Sequence, residues 1–217
     1  MPLKYGIIGA SGRMGKEIES IMNEAGHVCV FKYDENGEWS TENPEVIIDF
    51  SLPQVFEQTL FYIGKFKVPL IMGTTGLSNT QINALKELGK EVPVVHSSNY
   101  SIGIQMMIKC AELLNENLPD WDVEICETHH RFKKDKPSGT ALMIKNALGK
   151  DINISSLRLG NVPGDHTVSF GGLGEVLSIT HCATSRRTFS EGVLKSALFV
   201  VNKKNGYYSF KEVLFHK

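Results

Sequence analysis

Along the first hundred positions, short apolar runs alternate with longer stretches in which apolar residues return every three or four positions. That pattern predicts strands of a parallel sheet separated by helices. The runs at 5–8, 28–33, 46–50, 68–72 and 92–96 read as the strands. Met14, Ile18, Ile21 and Met22 keep helical spacing across 14–25, and Gly26 suits a C-terminal cap. A second helix is predicted over 78–90, and Pro53 fits the first turn of another. The polar stretch 34–44 reads as a connection.

Beyond Asn99 the pattern changes. Helices are predicted at 102–114, 140–148 and 191–200, and strands at 121–127 and 207–214. A loop dense in His and Lys follows Glu127. From 157 to 185 apolar residues alternate among several glycines, which predicts antiparallel strands. No internal repeat or low-complexity tract interrupts the chain.

A chain of 217 residues can bury a sizeable core without metal or disulfide staples. With 23 Lys and Arg against 24 Asp and Glu, the formal net charge is -1, so nothing global favours nucleic acid or an anionic membrane. Any anion recognition has to be local. Cys29, Cys110, Cys126 and Cys182 form no C-x-x-C pair and read as reduced thiols without assigned chemistry. The N-terminus lacks a signal-peptide apolar core, and no stretch approaches the roughly 18 apolar residues that span a bilayer. A soluble, cytoplasmic protein is expected.

Candidate chemistry begins at the first strand's end. Gly9-Ala10-Ser11-Gly12-Arg13-Met14-Gly15 lies between strand and helix, where glycines permit a tight turn and bring backbone N–H groups close to a pyrophosphate. Its spacing is G-x-x-G-x-x-G rather than G-x-G-x-x-G, and the same glycines would also serve a turn that binds nothing. Asp34 ends the second strand about 20 positions on, where an acidic side chain accepts bonds from an adenosine ribose. That placement favours NADH. Lys32, two residues earlier, would instead suit the 2′-phosphate of NADPH. Phe50-Ser51, Gly73-Thr74-Thr75 and Ser97 with Asn99-Tyr100 follow three further strands, and such loops meet at the carboxyl edge of an open parallel sheet.

The densest chemistry lies in Glu127-Thr128-His129-His130-Arg131-Phe132-Lys133-Lys134-Asp135-Lys136-Pro137-Ser138-Gly139-Thr140-Ala141. Histidines and cations sit just before a helix whose N-terminal amides, near Gly139 and Thr140, form a carboxylate cradle. That arrangement suits a small polyanion. H-E-x-x-H is absent and adjacent histidines rarely share one ion, so no metal site is assigned. A solvated basic loop with locally bonded histidines is the plain alternative.

This segment closely resembles the signature of the dihydrodipicolinate reductase family. Gly9 to Gly15, Ile48-Asp49-Phe50-Ser51, Gly73-Thr74-Thr75-Gly76, Asn99-Tyr100-Ser101, Gly164-Asp165-His166, Gly174-Glu175, His181 and Arg186 to Phe189 fall in the family's order too. The likeness therefore covers almost the whole chain. It implies NADPH- or NADH-dependent reduction of a cyclic imine dicarboxylate, 4-hydroxy-tetrahydrodipicolinate, in diaminopimelate and lysine biosynthesis. His129 matches the family's catalytic histidine, a general acid, and Lys133 its second catalytic position, which stabilises developing charge. His130, Lys133, Gly139 and Thr140 look like the substrate contacts. Gly9, Ser11, Gly12, Arg13, Met14, Asp34, Phe50, Ser51, Gly73, Thr74, Thr75, Ser97, Asn99 and Tyr100 would hold the cofactor. His166, Glu175, His181 and Arg186 read as structural or hinge residues. Glu35 after Asp34, and Leu52 where many relatives have Arg, depart from the family pattern.

The implied architecture is α/β: a Rossmann-like parallel-sheet nucleotide domain with an inserted α+β substrate and oligomerisation domain. Residues 1–100 with 188–217 would form the first and 101–187 the second, with crossings near Tyr100 and Thr188 as a hinge. A homotetramer is expected by resemblance alone. Two rivals keep the fold but change the function. A nucleotide sensor would need no proton donor, and a semialdehyde dehydrogenase would need an activated thiol, for which Cys110 in a helix and Cys126 in a strand are poor candidates.

Overall fold

Strands covered on both faces are near-continuous apolar runs, and Val46–Asp49, Leu70–Met72 and four of the five residues of Lys4–Ile8 are buried. In a computed structural model that describes residues 1–215, these runs occupy the middle of a seven-stranded sheet. Its members are β1 (Lys4–Ile8), β2 (Val28–Asp34), β3 (Gly37–Ser40), β4 (Val46–Asp49), β5 (Leu70–Met72), β6 (Pro93–His96) and β11 (Gly206–Ser209). They lie in the order β11-β6-β5-β4-β1-β2-β3, and all pairs are parallel except β2 with β3. The chain divides into two compact units, Met1–Tyr100 together with the chain from Phe189, and Ser101–Thr188.

Alternation along the strands sends side chains to opposite faces of the first unit's sheet. Ile8, Ile47, Leu70, Met72 and Val94 form one core with Phe56, Tyr62, Ile63 and Leu85 from α2 (Phe56–Phe66) and α3 (Asn79–Leu88). On the opposite face the Tyr5 hydroxyl donates to Asn23 Oδ1 (2.8 Å) in α1 (Arg13–Glu24). Fully burying each of these side chains contributes about 2 kcal/mol.

The second unit has a four-stranded sheet ordered β10-β9-β7-β8: β7 (Asp122–His129), β8 (Asn153–Arg158), β9 (Asp165–Gly171) and β10 (Val176–Cys182). α4 (Ile102–Asn117) and α5 (Gly139–Leu148) cover one face, with Ile104, Ile108, Ala141 and Ile144 packed on Ile125, Val168 and Phe170.

Five expectations from the sequence change. The polar connection 34–44 contains β3, which is exposed throughout and hydrogen-bonds to β2, so no apolar period announces it. Residues 207–214 are not one strand, because β11 ends at Ser209 and α7 (Phe210–Phe215) follows. Ser209 Oγ accepts from the Glu212 amide (3.2 Å) while Glu212 accepts from the Ser209 amide (2.7 Å), a capping box that is visible as S-x-x-E. In the second sheet β8 pairs parallel with β7, whereas both β9 pairings are antiparallel. Finally, β7 continues to His129, so this histidine stands on a strand and not in the loop. α6 (Arg187–Val200) begins before the expected position 191.

Candidate active site

The chain reverses its direction of travel across the first sheet between β1 and β4, and ligands bind outside the carboxyl ends of strands at such a point. A cleft of about 370 Å³ lies there, lined by Gly9, Ser11, Gly12, Tyr33, Asp34, Glu35, Phe50, Ser51, Leu52 and Val55. Gly9 has φ +85°, and a Cβ on it would stand 2.7 Å from the Phe50 carbonyl oxygen. Only glycine fits both the backbone and the space. Gly12 caps α1 without any side-chain hydrogen bond, which leaves the opening of the helix to an anion. These features fit a dinucleotide.

Of the expected cofactor residues, Gly9, Ser11, Gly12, Asp34, Phe50 and Ser51 line this cleft together. Arg13 and Met14 lie in the first turn of α1. Gly73, Thr74 and Thr75 follow β5, while Ser97, Asn99 and Tyr100 follow β6, and none of the six lines the cleft. The Tyr100 side chain is buried, and its hydroxyl donates to the carbonyls of Met72 (2.9 Å) and Val95 (3.2 Å), so its ring belongs to the core. The Ser97 hydroxyl donates to the Asn99 carbonyl (2.7 Å) and shapes its own loop.

Asp49, to which the residue pattern assigns no role, ties these loops together. Its carboxylate, 1% exposed, accepts from the Ser51 amide (2.9 Å), the Ser51 hydroxyl (2.6 Å), Thr59 (2.6 Å) and Thr74 (2.9 Å). Lys32, the candidate for a 2′-phosphate, is paired with Glu19 (2.6 Å) and does not line the cleft. Asp34 and Glu35 do, so the charge at that end of the cleft is acidic.

In the second unit the period of two carries Ile125, Glu127 and His129 to one face of β7, the face that α4 and α5 cover. Register then decides what they meet. Glu127 stands opposite His166 on β9 and Ser156 on β8, and His129 stands opposite Arg158. Two polar residues thus extend an apolar row into a buried cluster.

Within it, the Arg158 guanidinium grips Glu127 at both oxygens (2.8 and 2.9 Å), and the Ser138 amide donates to the same carboxylate (3.2 Å). His129 Nδ1 bonds directly to the second oxygen of Glu127. Burial alone would push the Glu127 carboxyl up, but the bonds from Arg158, Ser156 and His129 outweigh it and hold the group at about 2. For His129 burial wins over the attraction of Glu127, with Lys133 and Arg158 adding repulsion, and its pKa lies below the ordinary value. Burial and the neighbouring His129 push His166 down to about 4.

Ser138 caps α5 by accepting from the Ala141 amide (3.1 Å), and its hydroxyl lies 3.3 Å from His166 Nε2. The cap therefore fixes the helix opening at Gly139 and Thr140 beside the histidines. Lys133 pairs with Asp135 (2.8 Å) and keeps its side chain 23% exposed, while His130 Nδ1 is buried with no partner among the described residues. Gly164 faces His129, and a Cβ there would stand 2.9 Å from Nε2. His181 bonds Ser101 at the start of α4 (3.2 Å), away from this cluster's acidic centre. Sequence reasoning missed Glu127 and Arg158 as site residues. The first was visible as a charge two positions before His129 on the same strand face, whereas the second required the register of β8.

Among the described residues no group of three or more His, Cys, Asp or Glu side chains is placed to hold a metal ion, and no helix is long and apolar enough to cross a membrane.

Two family descriptions match the chain: "Dihydrodipicolinate reductase, N-terminus" over residues 3–100, and "Dihydrodipicolinate reductase, C-terminus" over residues 103–214. The chain belongs to the dihydrodipicolinate reductase family. It is 45% identical over 212 residues to the 4-hydroxy-tetrahydrodipicolinate reductase of Thermosipho africanus, with 98% of each chain covered. It is 36% identical to that of Helicobacter hepaticus, covering 98% and 99% of the two chains. A solved structure, dipicolinate-bound dihydrodipicolinate reductase from Paenisporosarcina sp. TG-14, superposes with a TM-score of 0.79 at 25% identity, covering 99% of this chain and all of that one. Dihydrodipicolinate reductases are NAD(P)H-dependent oxidoreductases of diaminopimelate and lysine biosynthesis, and their N-terminal Rossmann domain binds the nucleotide.

Proposed function

We propose that this dihydrodipicolinate reductase reduces 4-hydroxy-tetrahydrodipicolinate to tetrahydrodipicolinate, with His129 as general acid and Lys133 stabilising the charge that develops in the ring. The observation that carries this reading is the buried His129–Glu127–Arg158 cluster beside the capped N-terminus of α5. A bound nicotinamide supplies the hydride. Gly139 and Thr140 offer backbone amides to one substrate carboxylate, and His130 and Lys133 supply side-chain donors to the dicarboxylate. Such a dianion offsets the repulsion of Lys133 and Arg158 and draws a proton onto His129, which delivers it to the reduced ring.

The acidic pair Asp34 and Glu35, with Lys32 already held by Glu19, supports a preference for NADH over NADPH. The family resemblance supports a cytoplasmic homotetramer. The test is oxidation of NADH and of NADPH, followed separately, while a synthase condenses pyruvate with aspartate semialdehyde to supply the unstable substrate. Synthase-dependent oxidation, faster with NADH, is expected, and His129→Ala should lower turnover about a hundredfold or more. Nucleotide binding without oxidation would overturn the reading in favour of a sensor.

A further inference from the structure

The cluster at the end of β7 holds more order than a lone proton donor requires. Glu127 has no solvent exposure, and its oxygens face the two terminal nitrogens of Arg158, the Ser138 amide and Nδ1 of His129. A carboxylate gripped by a guanidinium fork is an acceptor only, so the hydrogen shared with His129 belongs to Nδ1. That leaves Nε2, which lies beside Gly164, where the missing Cβ keeps space at this nitrogen.

We propose that Glu127, braced by Arg158, is the positioning residue for the reaction at His129: it keeps the imidazole hydrogen on Nδ1 and leaves Nε2 as the atom that exchanges a proton with the substrate. This rests on the reading of His129 as the proton donor. The groups that face the imidazole are Glu127 on its own strand, Arg158 from β8, His166 from β9 and Lys133 from the following loop. Glu127 is the one anion among these four, so it decides both the tautomer and how readily the ring accepts a second proton. Arg158 also donates to the carbonyls of Asp135 (2.6 Å) and Leu157 (2.7 Å), which fix the fork independently of the histidine.

The experiment is Glu127→Gln, read by steady-state kinetics and by NMR of isotope-labelled imidazole nitrogens. An amide facing Nδ1 donates to it and turns the hydrogen over to Nε2, a change that lowers turnover about 100- to 10,000-fold where a carboxylate positions a catalytic histidine. Wild-type protein should show the hydrogen on Nδ1. In the variant it should move to Nε2, kcat should fall within that range, KM for the nucleotide should stay within about twofold, and the alkaline limb of the pH profile, where the general acid loses its proton, should shift to lower pH. Arg158→Lys keeps a cation and loses the fork, and it should change kcat and tautomer in the same direction by less. It also serves if Glu127→Gln does not fold.

A neutral wild-type imidazole with its hydrogen on Nε2 would overturn the proposal without any variant. So would a folded Glu127→Gln or Arg158→Lys protein with unchanged tautomer and kcat. Near-normal turnover in His129→Ala would instead remove the proton-donor role itself, so failure of the two readings is separable.

Discussion

Replacing Asp49 should loosen the nucleotide cleft from beneath. Its carboxylate lies between the ends of β4 and β5 and accepts four hydrogen bonds while 1% exposed. In Asp49→Ala, the Ser51 amide keeps the Thr74 hydroxyl at 2.9 Å, and Thr59 keeps the Val55 carbonyl at 3.3 Å. The Ser51 and Thr74 hydroxyls lose this acceptor. Two hydroxyl donors deprived of it at about 1–2 kcal/mol each, together with the net loss of charge-assisted bonds, give a destabilisation of roughly 3–5 kcal/mol. Asp49→Asn keeps the oxygen that serves three of the donors and presents an amide to Thr59, whose hydroxyl can turn to accept it. Its cost should be about 1–2 kcal/mol, mainly the lost charge assistance. Urea unfolding of the three proteins should order them wild type, Asn, Ala, and NADH titrated by its fluorescence should bind about tenfold more weakly to the Ala variant, because Ser51 lines the cleft. An Ala variant within about 1 kcal/mol of wild type, or one more stable than the Asn variant, would refute the assignment of Asp49 as the hub.

Three other outcomes follow from the geometry. Gly15→Ala places a Cβ 2.3 Å from the Gly9 carbonyl oxygen and 2.7 Å from that of Ala10, so the turn must open; a loss of about 1–3 kcal/mol and of detectable NADH binding is expected by melting and titration. His166 titrates at about 4 when folded and at 6.5 as a free side chain, so the unfolded chain binds the extra proton between those values. Stability is full above about pH 6.5 and falls by about 3 kcal/mol as the pH drops to 4, a slope that urea midpoints would record and that His166→Gln should flatten. Glu127, held at about 2 against 4.5, adds a second loss only below pH 4.5, as its stabilisation disappears toward pH 2. Asp34→Ala should raise KM for NADH about tenfold and leave that for NADPH within about threefold; an equal rise for both would mean that Asp34 shapes its turn, where it accepts from the Asn36 amide at 2.8 Å, and does not select the ribose.

The sequence alone determines the parts whose signal is local. Apolar runs with helical stretches between them give β1, β2, β4, β5 and β6 with α1, α2 and α3, because burial on both faces of the central strands leaves no alternation to confuse with anything else. The Gly9 turn is legible because a positive φ against a neighbouring backbone demands glycine, and the stretch from His129 to Thr140 because cations, histidines and a helix cap rarely fall together. β3 leaves no such trace, being exposed along its whole length. α7 did leave one, in the box formed by Ser209 and Glu212, which the strand-favouring pair Tyr207 and Tyr208 obscures. What only the tertiary structure decided is which distant residues complete the sites. Thr74 reaches Asp49 through the pairing of β4 with β5, and Arg158 reaches Glu127 across 31 positions because β8 returns parallel to β7 in one particular register. A shift of that register by one residue would turn Arg158 to the opposite face of the sheet, and nothing in the local sequence around it records that constraint.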